Sequence, residues 1–229
     1  MYRVAVLYSG GKDSTYACHW AFLKGFEVVC LVTIEPRRED SWLFHYPQIS
    51  LTRLQAKALG LPQIYVGSCG VRDAELLDLK RALEFAVEEF DVDGLVTGVL
   101  LSDYQRMSIN MVAEELGLRV YSPLWRKDQA RYMRELIDFG FKIVIMSIDV
   151  YGLPPRFLGR VLTREDVEEI CRLAEVYGFN PAFEGGEAET LVVDAPLYRK
   201  RIVIKRSEVV RCGEFSWRLI IRDVELVDK

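Results

Sequence analysis

The chain is poor in the residues from which metal centres and disulfide frameworks are built. It has two histidines and five cysteines, and no two cysteines form a Cys-x-x-Cys pair. This set lacks the even, closely spaced cysteines of a small disulfide-stabilised domain and the ligand spacing of a zinc site. The sequence therefore excludes both classes, and most of the cysteines are predicted to be small core residues.

The chain also lacks a long apolar run and an excess of positive charge. No stretch approaches the roughly 20 apolar residues of a membrane helix, and the N-terminus leads into a strand pattern rather than a signal peptide. The formal net charge of −4 argues against a protein that coats nucleic acid. We therefore expect a cytoplasmic protein with no membrane association and no direct nucleic-acid binding.

What is present is a regular alternation of strand and helix patterns over residues 1–125, enough chain for a large apolar core. The predicted strands cover residues 4–8, 28–34, 63–66, 94–97 and 119–121. The predicted helices cover residues 15–24, 51–59, 74–90 and 107–116. Short apolar strands separated by helices predict an α/β domain in which helices cover both faces of a five-stranded parallel sheet.

The pattern changes after Pro123, which predicts a second, smaller α+β domain over residues 126–229. Helices are predicted over residues 128–138 and 163–177, with Thr163 and Asp166 spaced as a capping pair. A strand is predicted over 141–148. Residues 189–227 are rich in β-branched side chains and predict an antiparallel or mixed β region.

One hexapeptide lies at the turn between the first strand and the first helix. It reads Ser9-Gly10-Gly11-Lys12-Asp13-Ser14. Glycines let an anion approach the main chain, the helix N-terminus adds partial positive charge, and Lys12 adds a full one. The hexapeptide, called the glycine-rich loop below, therefore indicates a phosphate site.

Two other phosphate-binding motifs fit this loop poorly. A Walker A loop needs a glycine where Val6 stands and a hydroxyl residue where Asp13 stands, so it is excluded. A dinucleotide fingerprint needs a third glycine, and Glu35 is only a weak equivalent of its acidic residue. A plain tight turn capped by Ser9 or Ser14 is the structural alternative, but such a turn has no need of Lys12 and Asp13.

The loop resembles the PP-loop of the N-type ATP pyrophosphatases, whose form is Ser-Gly-Gly-x-Asp-Ser. The resemblance implies a doubly wound nucleotide-binding domain of the HUP type. It also implies that the loop holds the β- and γ-phosphates of ATP. These phosphates leave together as pyrophosphate while an acceptor oxygen attacks the α-phosphorus.

A second segment groups three carboxylates around a glycine pair just before a predicted strand. This acidic segment comprises Glu184, Gly185, Gly186, Glu187, Ala188, Glu189 and Thr190. Clustered negative charge must be solvated, paired or used. A solvated acidic loop is the structural alternative, whereas adjacent glycines favour close approach of a ligand.

The acidic segment and the residues up to Pro196 are similar to the hallmark of the diphthine–ammonia ligase family, Glu-Gly-Gly-Glu-x-Glu-Thr-Leu-Val-x-Asp-x-Pro. A stretch after the fourth strand also matches that family, through Gly98, Ser102, Tyr104, Gln105 and Arg106. Residues 40–45 and 123–125 also match the pattern of that family. The resemblance extends from the first strand to about Tyr198.

The resemblance implies an ATP-dependent amidation. The carboxylate of diphthine, a modified histidine on elongation factor 2, would be adenylated and then attacked by ammonia supplied as free ammonium. The products would be diphthamide, AMP and pyrophosphate. Adenylation suits the chemistry, because a carboxylate lacks the leaving group that AMP provides.

The resemblance also implies roles for individual residues. Catalysis is assigned to Lys12, Glu184, Glu187 and Glu189. ATP is assigned to Ser9, Gly10, Gly11, Lys12, Asp13, Ser14 and Gly98, with adenine at the main chain of residues 32–34, including Thr33 and Ile34. Asp13 is assigned to Mg²⁺.

The substrate is assigned to a third group of residues. These are Ser102, Tyr104, Gln105, Arg106, Gly185, Gly186 and Thr190, with the acids Glu184 and Glu187. Trp42, Tyr46 and Tyr104 are candidate cation–π surfaces for its trimethylammonium group.

Two alternative functions stay open at this point. One is an ATP-dependent tRNA-modifying enzyme of the same superfamily; the other is a sensor that binds ATP without turnover. A basic cluster at residues 199–206 is a solvated strand face in the simplest interpretation. It would otherwise contact the protein substrate or the acidic residues of a second copy in a homodimer.

Overall fold

The computed structural model describes residues 2–36, 49–68 and 72–229. The chain divides into two compact units, Met1–Arg126 and Lys127–Lys229. Each unit has its own sheet, and the two sheets differ in type.

The N-terminal unit is an α/β layer structure. Its described strands are β1 (Arg3–Leu7), β2 (Glu27–Pro36), β3 (Gln63–Ser68), β4 (Gly94–Val96) and β5 (Arg119–Tyr121). Its described helices are α1 (Lys12–Leu23), α2 (Thr52–Leu59), α3 (Arg72–Phe90) and α4 (Asp103–Glu115), with a 3₁₀ turn at Ile49–Leu51. These five strands are all parallel, in the order β3-β2-β1-β4-β5. The predicted fold class is therefore confirmed.

Both faces of this sheet are buried. Val4, Ala5 and Val6 follow one another in β1 and are all inaccessible to solvent. Because successive strand residues point to opposite faces, helices must cover the sheet on both sides. On one side Leu79 and Leu83 of α3 pack into the core. The carboxyl ends of β1 and β4 lie next to each other, and a doubly wound sheet binds ligands at such a reversal of strand order.

The C-terminal unit combines an antiparallel sheet with two α-helices. Its strands are β6 (Lys142–Asp149), β7 (Ala188–Asp194), β8 (Lys200–Arg211) and β9 (Ser216–Asp228), in the order β7-β6-β9-β8. Its helices are α5 (Gln129–Asp138) and α6 (Arg164–Tyr177), with a 3₁₀ turn at Pro155–Phe157. The capping pair is confirmed, since Thr163 and Asp166 bond to each other's main-chain N–H groups. The β region is antiparallel rather than mixed.

Two helices begin three or four residues earlier than the sequence pattern predicted. Helix α1 begins at Lys12 instead of residue 15, and α4 begins at Asp103 instead of residue 107. Both differences arise at N-termini rich in polar residues, where the apolar spacing that marks a helix has not yet started. As a consequence, Lys12, Asp13 and Ser14 belong to the first turn of a helix rather than to the preceding loop.

The cysteines behave mainly as core residues. Cys18, Cys30 and Cys171 are buried, and burial raises the pKa of the Cys18 and Cys30 thiols to about 12. Cys212 is exposed, and Cys69 lies outside the described residues. Over the described part of the chain, no helix is both long and apolar enough to cross a bilayer.

Candidate functional site

The glycine-rich loop joins β1 to α1 at the carboxyl end of the parallel sheet. Gly10 has φ +80°, a conformation that a side chain would strain. Gly11 is the N-cap of α1, and having no side chain it supplies no cap to the N–H groups of the first turn. A helix N-terminus of this kind favours a bound anion.

The serine side chains close the loop internally. The main-chain N–H of Ser9 donates to Ser14 Oγ at 3.2 Å, and the two hydroxyl oxygens are also 3.2 Å apart. The Ser14 hydroxyl donates to the Gly11 carbonyl at 3.3 Å. These bonds link the two ends of the hexapeptide.

Lys12 and Asp13 form a charge pair at the start of α1. Lys12 Nζ lies 2.8 Å from Asp13 Oδ2, and the lysine side chain is only 4% exposed against 26% for the aspartate. The buried ammonium therefore has a carboxylate partner, as a buried charge requires. The pair places one positive and one negative group at the loop.

Gly98 lies against the same helix start. A Cβ at Gly98 would come within 2.6 Å of the Asp13 carbonyl carbon and the Ser14 nitrogen. Main-chain atoms therefore fill the space that a side chain at position 98 would need. This packing is a reason for glycine at that position that the sequence analysis did not foresee.

The glycine-rich loop is also held by α2. Gln55 is fully buried, and its Nε2 donates to the Gly10 carbonyl at 2.8 Å. A Cβ at Gly10 would lie 2.1 Å from Gln55 Oε1. Gln55 was not predicted from the sequence. The available signal was a polar side chain that helical spacing places on one face with Thr52, Ala56 and Leu59, all of which are buried in α2.

The end of β2 is fixed by a chain of buried polar bonds. The Thr33 hydroxyl donates to the Tyr8 carbonyl at 2.7 Å. Gln63 Nε2 donates to the hydroxyl oxygens of Thr33 and Thr52, both at 2.9 Å. The Thr33 side chain therefore holds the end of β2 in the sheet. At the neighbouring strand, burial and then a hydrogen bond to Glu35 raise the pKa of Tyr65 to about 12.

The stretch after β4 forms the first turn of α4. Ser102 is its N-cap, and the Ser102 hydroxyl accepts from the Gln105 N–H at 3.2 Å. Tyr104 packs against the core, and the Arg106 guanidinium lies 4.5 Å from the centroid of the Trp125 ring. Of the three candidate cation–π surfaces, Tyr104 is partly buried. Trp42 and Tyr46 lie outside the described residues, and so does the whole matched segment 40–45.

The acidic segment belongs to the C-terminal unit and leads into β7. Glu187 Oε1 accepts from the Asn180 N–H at 2.9 Å, and Oε2 accepts from the Gly185 N–H at 2.7 Å. A Cβ at Gly185 would lie 2.8 Å from Glu187 Oε1. Both carboxylate oxygens therefore fasten the turn, a structural role for Glu187 that the sequence did not indicate.

The other members of the acidic segment have different surroundings. Glu184 is half-buried, and Gly185 and Gly186 are exposed, with Gly186 at φ +82°. Glu189 and Thr190 lie on β7, where the Glu189 N–H donates to the Ser147 hydroxyl at 3.2 Å. Asn180 and Ser147, which hold this segment, were not predicted from the sequence.

A search of the described residues finds no group of three or more histidine, cysteine, aspartate or glutamate side chains that could hold a metal ion. Asp13 thus stands as a single carboxylate at the glycine-rich loop. One carboxylate is compatible with Mg²⁺ only when ligand phosphates and water complete the octahedron.

Comparison with known proteins gives consistent matches along the chain. Residues 2–120 match the family model "Diphthamide synthase N-terminal domain", and residues 128–226 match "Diphthamide synthase C-terminal domain". The chain is 34% identical over 226 residues to the diphthine–ammonia ligase of Danio rerio, covering 91% of this chain and 88% of that protein. It is 32% identical over 230 residues to the human protein of the same name, covering 91% and 85%.

Proposed function

The chain belongs to the diphthamide synthase family, and from this membership we propose that it amidates diphthine on elongation factor 2 with ammonium at the expense of ATP. Its relatives are named diphthine–ammonia ligase, so the enzyme class is that of a ligase. The observation that carries the proposal within this chain is the glycine-rich loop, with its uncapped helix start, buried lysine and positive-φ glycine.

The reaction would proceed in two displacements. A carboxylate oxygen of diphthine attacks the α-phosphorus of ATP, the bond between the α- and β-phosphates breaks, and pyrophosphate leaves. Ammonia then attacks the acyl carbon and displaces AMP, giving the amide. Charge develops on phosphate oxygens in the first step, so fixed donors and cations supply most of the stabilisation.

The glycine-rich loop would receive the β- and γ-phosphates. Gly10, Gly11 and the first turn of α1 offer main-chain N–H groups, and Ser9 and Ser14 offer hydroxyls. Lys12 would direct its charge to the departing pyrophosphate. Asp13 and the phosphates would together hold Mg²⁺, which when bound neutralises charge on the leaving group.

Adenine would bind to main-chain groups at the edge of β2. The Val32 carbonyl accepts from the Tyr8 N–H at 2.8 Å, so the main chain of Val32 faces β1. Successive residues of a strand direct their N–H and C=O groups to alternate edges. The main chain of Ile34 therefore faces the same edge as Val32, beyond the last residue of β1. This geometry favours Ile34 for the adenine contact, with Thr33 supporting the strand and Gly98 beside the ribose and α-phosphate.

The acidic segment would receive the modified histidine. Glu184 and Glu189 would attract its trimethylammonium group and help remove a proton from ammonium. Glu187 would act by holding the turn, since its carboxylate already accepts two main-chain N–H groups. Ser102, Tyr104, Gln105 and Arg106 would contact the protein substrate at the start of α4.

A deletion experiment tests this function. Elongation factor 2 from cells that lack the protein should accumulate diphthine, as read by mass spectrometry of the modified peptide. The wild-type chain should restore diphthamide and Lys12→Ala should not, whereas the control Lys24→Ala, at the exposed far end of α1, should restore it. Normal diphthamide in the deleted cells, or AMP release triggered by tRNA, would contradict the proposal.

A further inference from the structure

The Gly10 carbonyl points into the protein rather than towards solvent. Gly10 is buried, and its carbonyl oxygen accepts the 2.8 Å hydrogen bond from Gln55 Nε2. A carbonyl only accepts, so the amide NH₂ of Gln55 is the end that faces it. Gln55 is itself inaccessible to solvent, which leaves its carboxamide little freedom to turn away.

The orientation of that carbonyl fixes the orientation of the next N–H. The peptide bonds of the described chain are trans. In a planar trans peptide the C=O and the following N–H point in opposite directions. The Gln55 bond therefore turns the Gly11 N–H away from the Gln55 carboxamide, and Gly11, unlike Gly10, is partly exposed.

Two consecutive glycines could not hold this orientation by themselves. Glycine has no Cβ and populates positive and negative φ almost equally, so the peptide between Gly10 and Gly11 can rotate at little cost. Gly10 already has φ +80°. A hydrogen bond from outside the loop is needed to select one of the two peptide orientations.

Helix α2 is itself anchored to the sheet. Thr52 lies three residues before Gln55, so both side chains lie on the same face of α2. The Thr52 hydroxyl accepts from Gln63 of β3 at 2.9 Å and donates to the Ile49 carbonyl at 2.6 Å. The carboxamide that contacts Gly10 is therefore held on a rigid element.

We propose that Gln55 is a positioning residue for the terminal phosphates of the nucleotide: it holds the Gly10 peptide so that the Gly11 N–H faces the bound phosphate. This inference rests on the proposed function, in which the glycine-rich loop receives those phosphates. Gln55 touches no reacting atom and acts entirely through the main chain of Gly10.

The test compares ligands that differ in what they place on the loop. Isothermal titration with Mg²⁺ present would give dissociation constants for inorganic pyrophosphate, ATP and AMP. Gln55→Met keeps the volume and removes the donor, and should weaken pyrophosphate and ATP about tenfold, the value of one main-chain hydrogen bond to an anion. AMP, which lacks the β- and γ-phosphates, should change less than about twofold. The control Leu54→Met, at the neighbouring position of α2, should leave all three unchanged.

The outcomes separate this inference from the proposed function. Unchanged pyrophosphate affinity in Gln55→Met, or an equal loss for AMP, would overturn the positioning role and leave the function standing. If the unaltered chain binds no pyrophosphate, the positioning role of Gln55 and the proposed function are both refuted.

A second measurement needs no variant, in case Gln55→Met does not fold. In nuclear magnetic resonance spectra of the unaltered chain, saturating pyrophosphate should move the Gly11 amide proton strongly while the Gln55 side-chain amide resonances stay in place. A Gly11 resonance that does not respond to bound pyrophosphate would refute the inference.

Discussion

The glycine-rich loop and the acidic segment are both turns built around a glycine pair, but they are held in different ways. The glycine-rich loop has bonds between its own residues, but it is also held by residues far away in the chain, Gln55 of α2 and Gly98. The acidic segment is held largely from within, by the carboxylate of Glu187 bonded to the N–H groups of Asn180 and Gly185.

This difference determines where substitutions should act. A loop that depends on tertiary packing is sensitive to changes in a distant element of the chain, whereas a turn held largely by its own side chains is most sensitive to changes in those side chains. A phosphate site gains from external support because its donors must be fixed before the ligand arrives. The predictions below test this contrast.

The largest effect on nucleotide binding is expected at Gly98. In Gly98→Ala the added Cβ would lie 2.6 Å from main-chain atoms of Asp13 and Ser14, which cannot move without shifting α1. We expect the free energy of unfolding to fall by about 1–3 kcal/mol, together with a loss of ATP binding. Chemical denaturation and titration measure the two effects. Gly67→Ala is the control, because a Cβ there meets nothing within 4 Å; equal stabilities of the two variants would refute the packing argument.

A pair of glycines with the same backbone angle isolates the contribution of Gln55. Gly10 and Gly25 both have φ +80°, but a Cβ at Gly10 meets Gln55 Oε1 at 2.1 Å and a Cβ at Gly25 meets nothing within 4 Å. Gly25→Ala should therefore show only the backbone strain, about 1–2 kcal/mol. Gly10→Ala should cost a further ~1–2 kcal/mol and weaken pyrophosphate binding. Identical unfolding free energies would mean that the loop is not braced by α2.

In the acidic segment the decisive change is Glu187→Gln. The substitution places an NH₂ group against a main-chain N–H of Asn180 or Gly185 and so breaks one of two charge-assisted bonds. We expect diphthamide formation to fall about tenfold with ATP affinity unchanged, and amide exchange at Gly185 to accelerate. Glu184→Gln should lower turnover without changing that exchange. Diphthamide formation by Glu187→Gln at the rate of the unaltered chain would show that the Glu187 carboxylate is not needed for the reaction.

The smallest effect concerns an ion-pair network that joins the helices of the C-terminal unit. Hydrogen bonds from Arg134 and then Arg164 lower the pKa of Glu168 from 4.5 to about 2. Since the folded-state pKa is depressed, this stabilisation is complete above about pH 4.5 and is lost as the pH falls towards 2.

Denaturation across that pH range measures the network. The free energy of unfolding should fall less steeply with acid in Glu168→Gln than in the unaltered chain. Glu175→Gln, at an exposed position of the same helix, should keep the original slope. The same slope in all three proteins would show that the network contributes nothing to stability.

The sequence predicted the architecture well because periodicity is local. The parallel strands and their helices were found from apolar spacing, and the capping box of α6 from Thr163 and Asp166. The start of α1 was placed too late because its cap, Gly11, has no side chain and the first turn is polar. The start of α4 was placed too late for a related reason: its first turn is largely polar, and the apolar spacing begins only after the turn that the Ser102 hydroxyl caps.

What the sequence could not predict are contacts between residues far apart in the chain. Gln55 and Gly10 are separated by 45 positions, and the packing of Gly98 on Asp13 joins the segment that follows β4 to α1. For Glu187 the reason differs: its neighbours are close in sequence, but the turn decides which of them the carboxylate reaches. Motif residues were thus located, while the side chains that support them were not.

In the proposed reaction the glycine-rich loop holds the β- and γ-phosphates so that they leave together. The most direct test is ³¹P nuclear magnetic resonance of the products when the chain is incubated with ATP, Mg²⁺, ammonium and elongation factor 2 carrying diphthine. AMP and pyrophosphate should form in step with diphthamide. Formation of ADP and inorganic phosphate instead would contradict the proposed reaction.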